Sequence, residues 1–439
     1  MLSATVFLLT VGLISVRAWL HINRRELPKC AVSVVAAWMY VFCLWIPAIL
    51  QGADRMNSKL VGPGVLAPPD ATETDTLLLK WSFELCVVLV AELFIVVVIN
   101  PKPRITRFLG GFTGEEWRLG SFVLIVVGFL VLIIFPTSLA DRAAAGQGII
   151  SITRGSLVCG LAILAYYKCF GKLYLFAVLL GGIGILVLGN VRSPISVIVI
   201  AGIAGLLARR EIYKKRWAFG ALVIALSAVV VGSFMSNMRA SITRHQDLST
   251  TEIIQTMLDD PLAAPYAAGI DTLDGYRFSE FAREREAAEP LDLLSPVYTF
   301  VPRSIWPGKP DSISVRLSTK YLRYKSSGQF LSVVGYLMLA TGSYGLALVM
   351  LAIGAGILAY LSVWLAGSYW TVFVYVCLFR LFLNGTSFDV YYTITLLLPT
   401  LIALYIARVV LRGSTRDDLP ASRVDGAILA RHGFEGISR

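Results

Sequence analysis

The chain has 439 residues, of which 56% are hydrophobic and only 15% charged, and its formal net charge at pH 7 is +11. A soluble globular domain of this length needs a larger share of polar residues, so the composition excludes that class. The positive charge does not indicate a nucleic-acid partner, because the basic residues cluster in short segments between apolar runs, as in the cytoplasmic loops of membrane proteins. We therefore predict a multi-pass protein of a lipid bilayer.

Apolar runs long enough to cross about 30 Å of hydrocarbon recur along the whole chain. We predict about eleven transmembrane helices, near 2–20, 30–50, 77–99, 120–140, 149–167, 173–190, 194–208, 218–236, 343–366, 371–384 and 390–410. Basic connections alternate with acidic, mixed or very short ones, and the basic residues near the N-terminus follow the first apolar run. By the positive-inside rule, this alternation predicts an external N-terminus and a cytoplasmic C-terminus. The predicted fold is an all-α, polytopic transmembrane helical bundle.

The predicted spans divide the chain into four parts. Spans one to eight cover residues 1–236, a large external loop covers 237–330, a re-entrant or interfacial segment with the last three spans covers 331–411, and a cytoplasmic tail covers 412–439. A loop of this length rarely lacks structure of its own, so we expect it to be partly helical. Its predicted helices are "STTEIIQTM", "DTLDGYRFSEFARERE" and "PLDLLSPVYTF".

The segment "FVPRSIWPGKPDS" (300–312) holds two cations on a proline-stiffened backbone at the predicted outer edge of the membrane. Arg303 can bind a pyrophosphate through a bidentate fork, and Lys309 can bind it as a point charge. Trp306 suits the level of the lipid headgroups. The alternative is an ordinary interfacial turn whose cations reach into those headgroups.

Two further arginines lie inside or beside predicted spans. Arg192 belongs to the short hairpin "GNVRSPIS", and Arg380 lies in the middle of "YVCLFRLFLNG". An arginine at membrane depth costs about 2.5–3.5 kcal/mol on insertion scales, so it needs a partner or a function. Each could instead form a structural salt bridge, and for Arg380 the candidate partners are Glu84, Glu92 and Asp389.

The external loop supplies more cations and the candidate general bases. Arg277 shares one face of its predicted helix with Phe281 and Arg285. Further candidate substrate-binding cations of the loop are Arg239, Arg316 and Arg323. Candidates for taking a proton from a substrate are Asp247, Glu252, Asp271, Asp274, Glu280 and His245. We assign the catalytic role to Asp271.

Motifs of other enzyme classes are missing from the sequence. It contains no P-loop, GxGxxG, HExxH, GxSxG or CxxC, which argues against an ATPase, a dinucleotide enzyme and a zinc protease. The first external loops also lack the acidic pair of metal-dependent membrane glycosyltransferases. We therefore expect neither a metal site nor a cofactor.

The stretch "PVYTFVPRSIWPGKP" resembles the signature of the bacterial O-antigen and capsule repeat-unit polymerases, the Wzy family. "GNVRSPI" is similar to the family's short Gly-x-Arg hairpin, and "GQFLSVVGYLMLATGSYGLAL", which contains Tyr336, is similar to its Gly-Tyr segment. The resemblance covers roughly 180–365. The chain departs from the family at "ATGSYG", where a Phe usually precedes the first Gly, and at "SSGQ", where Pro-Ser is usual.

The resemblance implies a glycosyltransferase of the bacterial inner (cytoplasmic) membrane with its large loop in the periplasm. Such an enzyme joins oligosaccharide repeats carried on undecaprenyl pyrophosphate, as in the biosynthesis of lipopolysaccharide O-antigen, capsule or exopolysaccharide. Arg192, Arg303 and Lys309 would stabilise the departing pyrophosphate, with Arg277 in support, and a loop carboxylate would accept the proton. Tyr336 and Arg380 are further substrate-binding candidates, and a chain-length regulator protein is a candidate partner.

Two other functions stay open on the sequence. A ligase that transfers finished glycan to lipid A or to protein would also use external arginines, usually with a loop histidine, for which His245 is the candidate. A flippase for lipid-linked oligosaccharides would be polytopic and cationic inside, but it would not need a large external loop.

Overall fold

The computed structural model describes residues 2–52, 70–103, 112–134, 148–168, 193–209, 255, 263–287, 289–294, 305–322, 331–384 and 387–417. Within these ranges the chain forms helices and no strand, so the predicted all-α class is confirmed for them. The predicted spans near 173–190 and 218–236 lie outside the described residues. The predicted loop helix "STTEIIQTM" also lies outside them, except for Gln255, which is helical.

The first seven α-helices precede the predicted loop. They are α1 (Leu2–Asn23), α2 (Ala31–Tyr40), α3 (Ile46–Gly52), α4 (Ala71–Leu93), α5 (Gly114–Ile134), α6 (Gly148–Tyr167) and α7 (Ser193–Ala208). The later α-helices are α8 (Ala263–Arg283), α9 (Ile313–Leu322), α10 (Val333–Thr341), α11 (Tyr344–Trp364), α12 (Thr371–Asn384) and α13 (Ser387–Asp417). Helix α13 continues past residue 412, where we had predicted the tail to begin.

Four helical segments among the described residues are long and apolar enough to cross a membrane. They are Leu2–Asn23, Leu27–Gln51, Ala71–Ile99 and Tyr344–Trp364. Shorter apolar helices cover Gly155–Tyr167, Ser196–Ala208 and Thr371–Phe382. These helices agree with a membrane protein, while the count of eleven spans stays a prediction.

The span Leu27–Gln51 is one continuous helical segment that contains 3-10, α-helical and π-helical turns. It starts with a 3-10 turn (Leu27–Cys30), and a π-helical turn (Val41–Trp45) joins α2 to α3. Helix α4 starts six residues before the predicted 77, because Asp70 caps it by accepting a hydrogen bond from the backbone N–H of Glu73 at 2.7 Å. This early start adds a polar first turn to the span.

The helices form two groups joined by one helix. Helices α1, α2, α4 and α11 pack together, and α5, α6, α7 and α13 form the second group. Helix α12 contacts α2 and α11 on one side and α7 and α13 on the other. The loop helix α8 packs against α3, the π-helical turn before it, and α10. The loop helix α8 is therefore seated on one end of the first helix group.

Glu92 joins three helices at the opposite end of the first group. Its buried carboxylate pairs with Arg17 of α1 and accepts hydrogen bonds from the Ser33 hydroxyl and, at 2.9 Å, from the Val32 backbone N–H of α2. A buried carboxylate needs such partners, since an unpaired charge at this depth costs several kcal/mol. These bonds also correct a sequence-based expectation, because Glu92 does not pair with Arg380.

Gly128 of α5 allows the closest helix approach in the second group. A methyl group at this position would overlap the backbone and Cβ of Leu157 in α6. We expect Gly128→Ala to lower the free energy of unfolding by about 1–3 kcal/mol, the usual cost of overpacking.

The matched control for Gly128 is Gly354→Ala in α11, where no atom lies within 4 Å of the new methyl group. That control should be neutral or slightly stabilising, because alanine favours helix more than glycine does. Both free energies can be measured by SDS titration in mixed micelles. Equal stabilities of the two variants would contradict the close approach.

The described part of the loop has a small core of its own. Helix α8 starts eight residues before "DTLDGYRFSEFARERE", and only a 3-10 turn (Pro290–Leu294) of "PLDLLSPVYTF" lies within the described residues. Helix α9 was not predicted. The core joins α8, α9 and α10, and its buried members are Phe278, Ala282, Ile313, Leu317, Leu331, Tyr336 and Leu339.

Candidate functional site

The structure describes about half of the predicted site residues. Arg192, Arg239, Arg303 and Arg323 lie outside the described residues, and of Asp271 only its place in α8 is described. The predicted residues with described side chains are Arg277, Trp306, Lys309, Arg316, Tyr336 and Arg380. Of the alternative bases, Asp274 and Glu280 are described, whereas His245, Asp247 and Glu252 are not.

Arg277 joins the loop helix α8 to the span α4. Its guanidinium is 4% exposed, and it binds the Glu73 carboxylate through two parallel bonds, Nε to Oε1 at 2.7 Å and Nη2 to Oε2 at 3.0 Å. A bidentate pair of this kind is both strong and directional. Arg277 was predicted to support a pyrophosphate clamp, but its fork is used to hold α8 against α4.

A second ion pair lies next to the first. Lys80 of α4 pairs with Glu280 of α8, and both side chains are partly exposed. Arg277 and Glu280 are neighbours on one face of α8, since residues three apart in a helix lie side by side. We call Glu73, Lys80, Arg277 and Glu280 the charged seam. It holds two charges of each sign at the junction of loop and bundle.

Glu84 lies one helical turn beyond Lys80 and is fully buried. Its carboxylate accepts hydrogen bonds from Tyr40 of α2 at 2.6 Å, Tyr276 of α8 at 2.7 Å and Tyr344 of α11 at 3.2 Å. Burial raises the pKa of the Tyr276 hydroxyl well above its usual range, so this group keeps its proton and donates. One carboxylate therefore joins four helices.

The bonds of Glu84 correct the expectation that it pairs with Arg380. Arg380 is buried in α12, and among the described residues Glu84 accepts its hydrogen bonds from the three tyrosines. Asp274, a candidate base, is also fully buried and accepts a hydrogen bond from Nε2 of Gln51 in α3 at 3.2 Å. This bond joins α8 to α3.

An apolar groove of about 790 Å³ runs between α4 and α11. Phe83 and Val87 line it on α4, and Gly356 and Ile357 line it on α11. Phe83 follows Lys80 by three residues, so the groove begins one turn from the charged seam on the same side of α4. Charged groups and a long apolar surface are thus adjacent.

The predicted substrate-binding residues of the later loop lie around α9. Arg316 binds the Asp292 carboxylate at 2.8 Å and that of Glu289 at 2.9 Å, and the Tyr336 hydroxyl donates to the backbone oxygen of Asp292. Burial raises the pKa of Asp292, although Arg316 acts in the opposite direction. Arg316 and Tyr336 are therefore brought together at one residue, Asp292, where Arg316 binds the side chain and Tyr336 binds the backbone.

Lys309 and Trp306 belong to a turn before α9. The backbone N–H of Lys309 donates to the carbonyl oxygen of Trp306 at 3.1 Å, and the indole is 37% exposed. This turn is the described end of the proline-rich segment. An exposed tryptophan beside a lysine agrees with a position at the membrane–water interface. Both interpretations of the sequence, the pyrophosphate clamp and the ordinary interfacial turn, place the segment there.

Sequence reasoning missed Glu73 and Lys80 of the charged seam and all three tyrosines bonded to Glu84. A signal was present, since Glu73, Lys80 and Glu84 recur at intervals of seven and four residues in an otherwise apolar helix and so share one face. The tyrosines gave no comparable signal, because Tyr40, Tyr276 and Tyr344 come from distant parts of the chain.

Within the described residues, no group of three or more His, Cys, Asp or Glu side chains could hold a metal ion. Metal independence stays a prediction of the sequence. No protein-family model, no curated protein and no solved structure matches this chain.

Proposed function

We propose that the chain is a membrane glycosyltransferase that polymerises oligosaccharide repeat units carried on undecaprenyl pyrophosphate. The product is O-antigen, capsule or exopolysaccharide, formed on the periplasmic side of the bacterial inner membrane. The proposal includes about eleven spans, a periplasmic loop at 237–330 and a cytoplasmic C-terminus, as the alternation of basic segments suggests.

The observation that carries the proposal is the place of the charged seam beside the apolar groove. A lipid-linked donor has a charged head and a long hydrocarbon tail, so it needs polar groups at the membrane edge and an apolar path next to them. Lys80 and Glu280 are partly exposed, and the groove starts one turn away at Phe83. This geometry fits an amphiphilic substrate. The sequence motifs that resemble those of the Wzy family indicate the class of enzyme, a polymerase of lipid-linked repeat units.

In the proposed reaction, a hydroxyl oxygen of the acceptor repeat attacks the anomeric carbon of the donor glycan. The bond from that carbon to the pyrophosphate oxygen breaks, and undecaprenyl pyrophosphate leaves with the electron pair. Arg192, Arg303 and Lys309 stabilise the charge on the leaving group. Asp271 accepts the proton of the attacking hydroxyl.

Arg277 has a different role in this scheme from the one predicted from the sequence. Its bidentate bond to Glu73 orients α8, which carries Asp271 in the turn before Tyr276. It is a positioning residue, because its fork is not directed to the substrate. The pyrophosphate contacts thus depend on the proline-rich segment and the hairpin with Arg192.

The test is polymer formation from purified lipid-linked repeats by the purified protein, in the presence of EDTA. We expect Arg303→Lys to slow transfer by roughly ten- to a hundred-fold, because losing one charge-assisted contact costs about 1.5–3 kcal/mol. Arg285→Lys is the matched control, since Arg285 is exposed beside Phe281. That control should retain its activity.

Other outcomes would reject the proposal. A wild-type protein that makes no polymer but transfers finished glycan to lipid A is a ligase. Near-normal rates for Arg303→Lys would mean that Arg303 is only an interfacial anchor, because lysine snorkels equally well.

A further inference from the structure

A cavity of about 230 Å³ lies between the end of α8 and helices α9 and α10. It is smaller than the roughly 300–1,000 Å³ of pockets for drug-sized ligands, so it has room for one small ring. Its charged lining residues are Glu286, Glu289, Arg316 and Lys320. Its apolar lining residues are Ile313, Leu317 and Leu339, together with Ala287 at the rim.

The charges of the cavity wall are already paired. Lys320 binds the Glu286 carboxylate at 2.5 Å, and Arg316 binds that of Glu289 at 2.9 Å. A charged ligand would have to displace one of these partners. An uncharged ligand would not, because the carboxylate oxygens have further lone pairs and the Lys320 ammonium has three N–H groups. The wall therefore favours groups that both donate and accept, as hydroxyls do.

The cavity is held in shape from below. The buried carboxylate of Asp292 accepts a bond from Arg316, and Tyr321 donates its hydroxyl to Glu286. The hydrogen bond from Lys320 lowers the pKa of Glu286, so this carboxylate is ionised at neutral pH. A lining of ion-paired and apolar side chains suits a ring with hydroxyls at its edge and C–H groups on its face.

We propose that this cavity binds one uncharged sugar ring of the repeat-unit glycan, at a distance from the reacting bond. The distance follows from α8, because the cavity lies at the end of this helix, whereas the proposed base Asp271 lies twelve residues before its last residue, Arg283. At about 1.5 Å per residue, these twelve residues span roughly 18 Å. A ring in this cavity is therefore not the ring that reacts next to Asp271. The site selects the repeat unit and rests on the proposed function.

The binding test uses the full-length protein in detergent micelles. The probes are methyl glycosides of a neutral hexose, an N-acetylhexosamine and a hexuronic acid, observed by saturation-transfer NMR. We expect signals from the two uncharged probes and a weaker signal from the uronate. Absence of signal from every probe would overturn the sugar site.

Two variants locate the binding. Ala287→Trp fills the cavity without removing a polar contact, and Glu286→Gln removes the charge that holds Lys320 and Tyr321. Glu286→Gln should weaken binding roughly ten-fold or more, the effect of losing one contact to a charged group. Ala287→Trp should abolish detectable binding, because the indole occupies the space of the sugar ring. Glu284→Gln is the control, because Glu284 is exposed and lies outside the cavity. Size-exclusion profiles check that each variant is folded.

The polymer assay separates the two proposals. One outcome is that the wild type binds sugar but makes no polymer, and that Ala287→Trp abolishes the binding. This outcome would refute the glycosyltransferase and retain the sugar site. A second outcome is that the two cavity variants, Ala287→Trp and Glu286→Gln, form polymer normally and depend on acceptor concentration as the control Glu284→Gln does. This outcome would overturn the sugar site alone. We expect both cavity variants to raise the KM for the acceptor and to leave kcat near that of the control.

Discussion

Replacing Glu84 with leucine is expected to lower the free energy of unfolding by about 2–6 kcal/mol, since each buried hydroxyl left without an acceptor costs about 1–3 kcal/mol. The variant leaves Tyr40 and Tyr276 in that state, whereas Tyr344 is only partly buried and also approaches the backbone oxygen of Lys80. Polymer formation should fall with it, because α8 loses the bond that Tyr276 makes to the bundle. SDS titration in mixed micelles measures the stability.

The single tyrosine variants should lower the free energy of unfolding in proportion to the strength of the hydrogen bond that each removes. Tyr40→Phe and Tyr276→Phe remove bonds of 2.6 and 2.7 Å to the buried Glu84 carboxyl group, worth about 0.5–1.5 kcal/mol each. Tyr344→Phe removes a bond of 3.2 Å and should cost less. The control is Glu115→Gln, an exposed carboxylate in the first turn of α5, which should change stability by less than about 0.5 kcal/mol. A Glu84→Leu variant as stable as this control would contradict the structure.

Arg277→Ala is expected to abolish most polymer formation and to destabilise the junction of α8 with α4. Removing one partner of a buried pair costs about 3–5 kcal/mol, and the cost here lies below that range because the Glu73 side chain is 40% exposed. Arg277→Lys keeps the charge but loses the bidentate fork, so it should retain only part of the stability. Arg283→Ala, on an exposed arginine of the same helix, is the control.

A charge exchange separates anchoring from substrate binding. If Arg277 only positions α8, the double variant Arg277→Glu with Glu73→Arg should recover part of the lost stability and activity, with a coupling energy of about 0.5–3 kcal/mol. If Arg277 binds pyrophosphate, the exchange places a carboxylate against the phosphates and no activity returns. The readouts are the free energy of unfolding and the kcat of polymer formation for the two single variants and the double variant.

The sequence by itself determined where the described helices lie. The predicted spans 2–20 and 343–366 agree with α1 and α11 within a few residues at each end. Hydropathy and charge are local properties of the chain, so an apolar run of sufficient length predicts a helix without knowledge of its neighbours. The start of α4 was wrong by six residues because a capping aspartate extends the helix beyond its apolar part. Helix α9 was missed because it is only ten residues long and its buried apolar residues lie on one face.

The tertiary structure alone decided which charged and polar groups meet. Glu84 was one of three candidate partners for Arg380, together with Glu92 and Asp389, and it is bonded to Tyr276, which is 192 residues away in the sequence. Arg277 was predicted to support a pyrophosphate clamp, and it is paired with Glu73 at a separation of 204 residues. Contacts between residues so far apart depend on how α8 packs on the bundle, which no local pattern encodes. Burial then requires every charge to have a partner, and only the packed structure selects which one.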